Sequence, residues 1–380
     1  MKFMFVCGGT AGHVNPAIAI AKEIGNRTPD PEILFIGADR ELEKRLVPEA
    51  GFKLVNIKMS GLKRGLKPGD LIYNAKTVKN TVAASFTAAK LIKEFKPDAV
   101  IGTGGYVCYP VLKKAAQMRI PTFIHESNAH PGLTVKMLSP IVDKVLVAFD
   151  GFEDLYRKPE RVLFTGTPLR REFYEAAEAP DTKEPKEKPL VVSFWGSLGA
   201  QRMNEMMVEL IRMNVQGKRF HHIHATGAKP AEMKKSLRDA GVTEIAPPMI
   251  DLREYIDDMP TVMKAADVIL CRAGGITTAE LIALGKPCIL VPSEYVPDNV
   301  QPTNAEQLRK AGGAIVISEK ECSAKLLFET LSFLLDDPDE LGKMSNAQKT
   351  LSSSNATEKV IDIVLDYFKY DNYKALSLDS

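Results

Sequence analysis

Short apolar runs alternate along the chain with longer stretches that have helical hydrophobic periodicity. The runs predict strands at residues 3–7, 33–36, 99–101, 122–125, 144–147, 190–194, 221–225, 268–271 and 288–291. Strands that alternate with helices are typical of parallel sheets, so the pattern predicts an α/β fold. In such folds ligands bind at the carboxyl ends of the strands, where the candidate residues are sought first.

The alternation occurs twice, and a polar segment separates the two series. Residues 176–189 are rich in Pro, Lys, Glu and Asp and have no apolar periodicity, which is typical of a linker. A length of 380 residues is enough for two cores. We predict two Rossmann-like domains facing each other across a cleft: residues 1–165 with a C-terminal helix at 355–370, a linker at 166–188, and a second domain at 189–354.

The first strand runs directly into a glycine-rich turn, residues 8–13, with the sequence Gly-Gly-Thr-Ala-Gly-His. A turn that feeds a helix N-terminus gathers unpaired N–H groups and positive dipole charge, which favours an anion such as phosphate. The spacing matches neither the dinucleotide fingerprint nor the P-loop. A tight turn without a ligand is an equally good interpretation of this motif alone.

Further polar or glycine-rich segments follow other predicted strands. Residues 102–106 give the first domain a second glycine loop, and residues 126–128 are polar at the end of another strand. In the second domain, residues 196–200 and 272–280 are the corresponding turns. Glu280 lies early in a helix. It could accept hydrogen bonds from a ribose diol, or it could be an acid at a helix N-terminus that is stabilised by the helix dipole.

Composition indicates which kinds of site and targeting segment are not expected in this protein. Five cysteines without a Cys-x-x-Cys pair disfavour a disulfide framework and a zinc site. The chain starts in a strand and has no long apolar run, so we expect neither an export signal nor a membrane span. We also expect no metal site.

Basic residues are concentrated in one part of the chain. Residues 53–119 contain 13 Lys or Arg and 3 Asp or Glu, and within them segment 58–79 interleaves basic and apolar side chains. This pattern is compatible with an anionic membrane surface or with a solvated helix face. Nucleic acid is not favoured, because no series of aromatic residues accompanies the charge.

The motifs, taken in order, resemble those of one enzyme family. It is the bacterial peptidoglycan transferase (MurG) family, which moves N-acetylglucosamine from UDP-GlcNAc onto undecaprenyl-pyrophosphoryl-MurNAc-pentapeptide, converting lipid I into lipid II. Ala11 and Trp195 stand where the family pattern has glycine, and Thr167 where it has asparagine. The resemblance runs from residue 1 to about 368 and rests on residues 8–13, 102–106, 124–128, 166–170, 196–200, 272–280 and 301–305.

The resemblance implies a GT-B fold and metal-independent, inverting glycosyl transfer without a cofactor. It implies His13 as the base, because imidazole accepts protons near neutral pH. The acceptor residues implied are Gly9, Gly104, Gly105 and Tyr106. The donor residues implied are Thr10, Ala11, Gly12, Asn128, Arg170, Ser197, Ile256, Gly275, Ile276, Thr277, Thr278, Ala279, Glu280 and Gln301. The implied location is peripheral, on the cytoplasmic side of the plasma membrane, with segment 58–79 on the anionic lipid.

Two other functions fit parts of the same pattern. A UDP-GlcNAc 2-epimerase would keep the nucleotide site but would need acid and base carboxylates around the sugar. A non-catalytic sugar-nucleotide binding module would keep the site and dispense with His13. Turnover and the identity of the product distinguish all three.

Overall fold

A computed structural model describes residues 1–59, 68–180, 187–196, 199–228, 230–243, 245–296, 299–352 and 355–378. The chain divides into two compact units. The first unit contains residues 1–170 together with the C-terminal helix, and the second is Arg171–Ser352. Each unit has its own sheet and its own core.

The first unit is built on a parallel seven-stranded sheet in the order β3-β2-β1-β4-β5-β6-β7. The central strands are buried on both faces, which explains why they are continuous apolar runs in the sequence. The strands are β1 Lys2–Cys7, β2 Glu32–Gly37, β3 Lys53–Asn56, β4 Ala99–Gly104, β5 Thr122–Glu126, β6 Lys144–Val147 and β7 Val162–Phe164.

Helices cover this sheet, and the last of them comes from the C-terminus. Asn355 caps that helix by accepting a hydrogen bond from the Glu358 amide at 3.3 Å. Its residues Val360, Ile361 and Val364 are buried in the cluster that contains Phe3 and Phe5 of β1, so this helix completes the core of the unit. The helices are α1 Ala11–Arg27, α2 Glu41–Glu49, α3 Pro68–Phe95, α4 Cys108–Gln117, α5 Leu133–Leu138 and α14 Ala356–Leu378.

The second unit has a parallel six-stranded sheet in the order β10-β9-β8-β11-β12-β13. Its strands are β8 Leu190–Phe194, β9 His221–Ala225, β10 Ile250–Arg253, β11 Val268–Cys271, β12 Cys288–Leu290 and β13 Ala314–Val316. Its helices are α6 Arg171–Glu178, α7 Gln201–Gly217, α8 Pro230–Asp239, α9 Met259–Ala265, α10 Gly275–Leu284, α11 Val300–Ala311, α12 Ala324–Leu335 and α13 Pro338–Leu351.

The predicted α/β class is confirmed, and each strand expected from an apolar run is present. The sequence pattern missed four strands: β3, β7, β10 and β13. All four lie at the edges of the two sheets. An edge strand is only partly covered, so it does not need a continuous apolar sequence.

The segment expected to be a linker, residues 166–188, contains a helix. The boundary between the units falls at Arg170 and Arg171, and α6 belongs to the second unit. Phe173 is buried in that helix, which packs on α9 and α10. The stretch without apolar periodicity, residues 176–189, begins within α6, so the predicted linker overlaps this helix.

Among the residues described, no helix has both the length and the hydropathy needed to cross a bilayer. The five cysteines are unpaired and buried. Burial is the main cause that raises the pKa of Cys108 to about 12, so this thiol stays protonated at neutral pH.

Two buried histidines share one serine in the second sheet. Ser193 Oγ lies 2.8 Å from His222 Nε2 and 2.8 Å from His224 Nδ1. Burial lowers the pKa of His222 to about 3 and that of His224 to about 4. Both rings are therefore neutral in the folded protein, and they serve as packing residues of the sheet.

The second unit is expected to lose stability as the pH falls below about 6.5, the pKa of an unfolded histidine. His222 and His224 then bind protons in the unfolded chain but stay neutral in the folded one. This difference lowers the free energy of unfolding by about 2 kcal/mol for each ring at pH 5. Urea unfolding followed by Trp195 fluorescence measures this unit, because Trp195 is the one tryptophan in the sequence. The double variant His222→Gln/His224→Gln should show a flatter profile between pH 7 and 5, and an equal slope would contradict the assignment.

Candidate active site

In the first unit, the two glycine loops lie side by side. They follow β1 and β4, which are neighbouring parallel strands, so both loops emerge at the same edge of the sheet. The Thr103 hydroxyl donates to the His13 carbonyl at 2.6 Å and ties the second loop to the first turn of α1. The sequence-predicted residues of these loops are thus brought together.

The first loop leads into α1 through a glycine with left-handed backbone. Gly9 has φ +93° and Thr10 is the N-cap residue of α1. Ala11 and Gly12 form the first turn of that helix, where amide groups lack partners within the helix. Such a turn favours an anion, and the phosphate site expected here stays a prediction.

The hydrogen bonds of His13 define its tautomer. Its Nδ1 lies 2.8 Å from the Gly8 carbonyl oxygen, and a carbonyl can only accept, so Nδ1 carries the hydrogen. Nε2 of the neutral ring is then the atom with a lone pair. The ring is half-buried, and the Thr10 hydroxyl lies 3.4 Å from Nδ1. The backbone thus holds Nδ1, and Nε2 is the ring nitrogen left to accept a proton.

The second loop packs directly on that imidazole. Gly104 and Gly105 have φ +119° and +91°, a conformation that favours glycine. A Cβ atom on Gly104 would lie 2.8 Å from His13 Nε2 and would collide with the ring carbon beside it. A Cβ on Gly105 would strike the Gly8 carbonyl. Tyr106, the next residue, is about half exposed, at 47%.

The polar segment after β5 is organised by a buried carboxylate. Glu126 accepts hydrogen bonds from the Asn128 amide and side chain at 3.0 and 2.8 Å, and from the Gly132 amide at 2.8 Å. Asn128, a predicted donor residue, is thereby held in place. Arg170, another predicted donor residue, is half-buried at the end of the first unit.

In the second unit, the predicted donor residues follow three adjacent strands. β11 pairs with β8 on one side and with β12 on the other. Gly196 follows β8 with φ +89°, and Ser197 lies outside the described residues. Gly274 caps α10 after β11, and the loop after β12 leads to Gln301 on α11. The sheet therefore places these segments along one edge.

The side chains of α10 differ in how far they face solvent. Thr278 is fully buried and donates to the Gly274 and Gly275 carbonyls within its own helix. Its side chain is therefore committed to the fold, and contact with a ligand at this position falls to the backbone. The half-buried residues of the segment are Gly275, Ile276, Thr277, Ala279 and Glu280.

Two other predicted donor residues are Ile256, in the loop after β10, and Gln301, in the first turn of α11. The Ile256 side chain is buried at 1% exposure, so its backbone is the part available to a nucleobase. Gln301 Oε1 accepts from the Ser293 amide at 2.7 Å and ties the loop after β12 to α11. The roles given to these residues by the resemblance stay predictions.

Comparisons with known proteins agree with this geometry. The model of the glycosyltransferase family 28 N-terminal domain matches residues 3–147, and that of the family 28 C-terminal domain matches residues 190–360. A relative from Acetivibrio thermocellus is 44% identical over 97% of this chain and 99% of its own length. It is named UDP-N-acetylglucosamine--N-acetylmuramyl-(pentapeptide) pyrophosphoryl-undecaprenol N-acetylglucosamine transferase. The chain belongs to the MurG family of glycosyltransferases.

Solved structures agree with the GT-B fold expected of this family. Acinetobacter baumannii MurG is similar with a TM-score of 0.73 at 26% identity, covering 96% of this chain and 100% of that one. A putative UDP-N-acetylglucosamine 2-epimerase from Listeria monocytogenes has a TM-score of 0.68 at 14% identity, covering 97% of both chains. At that identity the likeness to the epimerase shows a common fold alone.

Sequence reasoning missed an ion pair at the strand ends of the second unit of this MurG-family chain. Arg272, at the end of β11, donates to Glu319 Oε1 and Oε2 at 2.9 Å each and to the Val291 carbonyl at 2.9 Å. Its guanidinium lies 5.9 Å from the centre of the Trp195 ring. Trp195, the departure from the family pattern, thus packs beside a buried cation that joins the ends of several strands.

No sequence signal identifies Glu319 as the partner of Arg272. It follows β13, one of the missed edge strands, and resembles any surface acid in a charged turn. A second residue missed is Glu43 on α2, which is fully buried under the first glycine loop. Within the described ranges, no group of three His, Cys, Asp or Glu residues is arranged to hold a metal ion.

Removing the partner of Arg272 is expected to destabilise the second unit strongly. Glu319→Ala leaves a buried guanidinium unpaired and should cost about 3 to 5 kcal/mol, since both side chains are nearly inaccessible. Urea unfolding followed by Trp195 fluorescence measures the loss of stability, because Trp195 lies next to this ion pair. Glu321→Ala, an exposed acid two residues away, is the matched control and should change stability by less than about 0.5 kcal/mol. Equal effects of the two substitutions would contradict the role of the pair.

Proposed function

We propose that this protein transfers N-acetylglucosamine from UDP-GlcNAc to the 4-hydroxyl of MurNAc in undecaprenyl-pyrophosphoryl-MurNAc-pentapeptide. The reaction converts lipid I into lipid II in peptidoglycan biosynthesis. The observation that carries the proposal is the 44% identity, over nearly the full length of both chains, to a transferase named for this reaction. The protein is accordingly a UDP-GlcNAc-dependent hexosyltransferase.

His13 is the general base of this reaction. Nδ1 is engaged by the Gly8 carbonyl, so Nε2 takes the proton of the acceptor hydroxyl. The hydroxyl oxygen forms a bond to the anomeric carbon while the bond from that carbon to the diphosphate oxygen breaks. Attack from the side opposite the leaving UDP inverts the anomeric centre. The acceptor pyrophosphate is bound at the loops that contain Gly9, Gly104, Gly105 and Tyr106. The Gly9 amide itself is engaged by Glu43, so Gly9 contributes loop conformation and not its N–H.

The departing UDP is stabilised by backbone dipoles, so the reaction is metal-independent. The N-terminus of α10, beginning at Gly275, presents amide groups to the diphosphate. Glu280 binds the ribose hydroxyls and Gln301 the sugar hydroxyls. The further donor residues are Thr10, Ala11, Gly12, Asn128, Arg170, Ser197, Ile256, Ile276, Thr277, Thr278 and Ala279.

The lipid carrier requires the protein to work at a membrane, and one face of the first unit supports this. A cavity of about 420 Å³ between α3, α4 and α5 is lined by exposed apolar residues and by two lysines of α4, Lys113 and Lys114. Phe86 of α3 is 74% exposed. Such a surface suits an anionic bilayer. The exposed apolar residues of the cavity are Val82, Tyr106, Leu133 and Met137.

Much of segment 58–79, which the sequence predicted for contact with the membrane, lies outside the described residues. The protein is peripheral, on the cytoplasmic side of the plasma membrane.

Turnover with a lipid I analogue tests the proposal directly. The protein is incubated with UDP-GlcNAc and the analogue, with EDTA present, and UDP and the disaccharide product are measured. Equal amounts of UDP and disaccharide are expected. Formation of UDP-ManNAc would instead identify an epimerase, and binding of UDP-GlcNAc without turnover would identify a binding module.

Substitutions at His13 and Glu280 should affect different kinetic constants. His13→Ala removes the base and should lower kcat by roughly 100-fold or more, with little change in KM for UDP-GlcNAc. Glu280→Ala removes ribose contacts and should raise that KM roughly 10-fold. Steady-state kinetics with varied donor concentration measure both constants. Unchanged turnover of the His13 variant would exclude this residue as the base.

Gly104→Ala should reduce turnover by displacing the His13 ring. The added methyl group meets Nε2 and its neighbouring ring carbon, so a loss of roughly 10- to 100-fold in kcat is expected. Gly151→Ala is the matched control, because Gly151 also has positive φ, at +80°, but has open space around it. The control places an alanine at positive φ in the same unit without touching the site. Equal losses in kcat would contradict displacement of the His13 ring as the cause.

Binding to vesicles tests the membrane surface. The protein should bind anionic vesicles better than neutral ones, and added salt should weaken this binding. Phe86→Asp should reduce the affinity roughly 10-fold, because it replaces an exposed apolar side chain with a charge. Phe333→Asp, at an exposed phenylalanine of the second unit, is the control and should bind as the original does. No preference for anionic vesicles would count against this surface.

A further inference from the structure

A buried carboxylate lies behind the glycine loop that holds His13. Glu43, on α2, is fully buried, and its Oε1 accepts a hydrogen bond from the Gly9 amide at 2.7 Å. That amide belongs to the peptide group whose carbonyl, at Gly8, accepts from His13 Nδ1 at 2.8 Å. Glu43 and His13 are therefore bonded to the two ends of one peptide group.

The order of these bonds has an electrostatic consequence. In a trans peptide the N–H and C=O point in opposite directions, so the carboxylate and the imidazole lie on opposite sides of the group. A negative charge at the N–H end shifts electron density toward the carbonyl oxygen. Hydrogen bonds in such a chain strengthen one another, and a charged acceptor makes the first bond strong. The Gly8 carbonyl thus becomes a better acceptor for the Nδ1 hydrogen.

Packing holds this peptide group in one position. A Cβ on Gly8 would lie 2.7 Å from Glu43 Oε1, so the carboxylate is in close contact with the loop. Gly105 presses against Gly8 and leaves no space for a side chain. Among the described residues no hydrogen-bond donor reaches the other oxygen of Glu43, Oε2. The carboxylate is therefore directed at the Gly9 amide alone.

We propose that Glu43 is a positioning residue for His13, acting through the Gly8–Gly9 peptide group. It holds the ring in the tautomer with hydrogen on Nδ1 and a lone pair on Nε2, and it fixes the ring orientation. The proposal rests on the proposed function in one respect, namely that Nε2 of His13 accepts the proton of the acceptor hydroxyl. It goes further by assigning a role to a residue that never touches the substrate.

The substitution Glu43→Gln separates charge from shape. Glutamine keeps an oxygen that can accept from the Gly9 amide but removes the negative charge. Glu49→Gln is the matched control, because Glu49 lies exposed at the end of the same helix. Both variants are compared with the original protein by thermal unfolding, steady-state kinetics and 15N NMR of the histidine rings. The His13 signals are identified by their loss in His13→Ala.

The expected result is a change in His13 without loss of the fold. At a pH where the ring is neutral, the 15N shifts of the original protein should show a protonated Nδ1, and those of Glu43→Gln a mixture of tautomers. Turnover of Glu43→Gln should fall roughly 3- to 10-fold in kcat, less than for His13→Ala, with an unchanged KM for UDP-GlcNAc. Glu49→Gln should leave all three measurements unchanged.

Two outcomes would overturn the proposal. Identical 15N shifts for His13 in the original protein and in Glu43→Gln would show that the carboxylate does not set the tautomer. A raised KM for UDP-GlcNAc with unchanged kcat would point to a structural role in donor binding. Failure of the proposed function gives a different result, since the original protein would then form no disaccharide. Failure of the base role alone would appear as full turnover of His13→Ala, whatever the tautomer shown by NMR.

Discussion

The parallel arrangement of strands is the constraint on which this molecule depends. In each unit the strands run in one direction, so their carboxyl ends meet at one edge of the sheet. The loops that carry the candidate residues in each unit therefore emerge at that edge. β1 and β4 place the two glycine loops side by side, and β8, β11 and β12 do the same for the segments predicted to bind the donor. Helix N-termini at this edge supply amide groups for an anionic ligand.

Buried glutamates hold these loops in both units. Glu43 accepts from the Gly9 amide, Glu126 from the amides of Asn128 and Gly132, and Glu319 pairs with Arg272. Burial of a carboxylate is costly and each hydrogen bond offsets part of that cost, so each of these contacts constrains the loop it touches. A loop that binds phosphate must keep its amides oriented before the ligand arrives, because reorientation during the reaction would add to the barrier. The carboxylates bond the loops and contribute that rigidity.

The parts predicted from the sequence are those that local chemistry determines. Central strands must be apolar on both faces, so β1, β4, β8 and β11 are evident as apolar runs, whereas the edge strands β3, β7, β10 and β13 are not. Glycine turns are likewise visible because Gly9 and Gly104 need positive φ. Glu43 and Glu319 could not be found, since an acid that folding buries has the same sequence context as one in solvent. Their positions follow from the packing of distant segments, which single-sequence patterns do not contain.

The residues at which this chain departs from the family pattern are explained by backbone conformation and by the space around the side chain. Ala11 stands at the first position of α1, where the backbone is helical and glycine offers no conformational advantage, so alanine is the better helix former. The glycines that the site does require, Gly9 and Gly104, have positive φ, and Gly104 also lies against the His13 ring. Trp195 lies just after β8, where its ring packs beside Arg272. In this chain a side chain therefore stands where there is room for it, whereas Gly9 is required by its backbone conformation and Gly104 by both its conformation and its contact with the His13 ring.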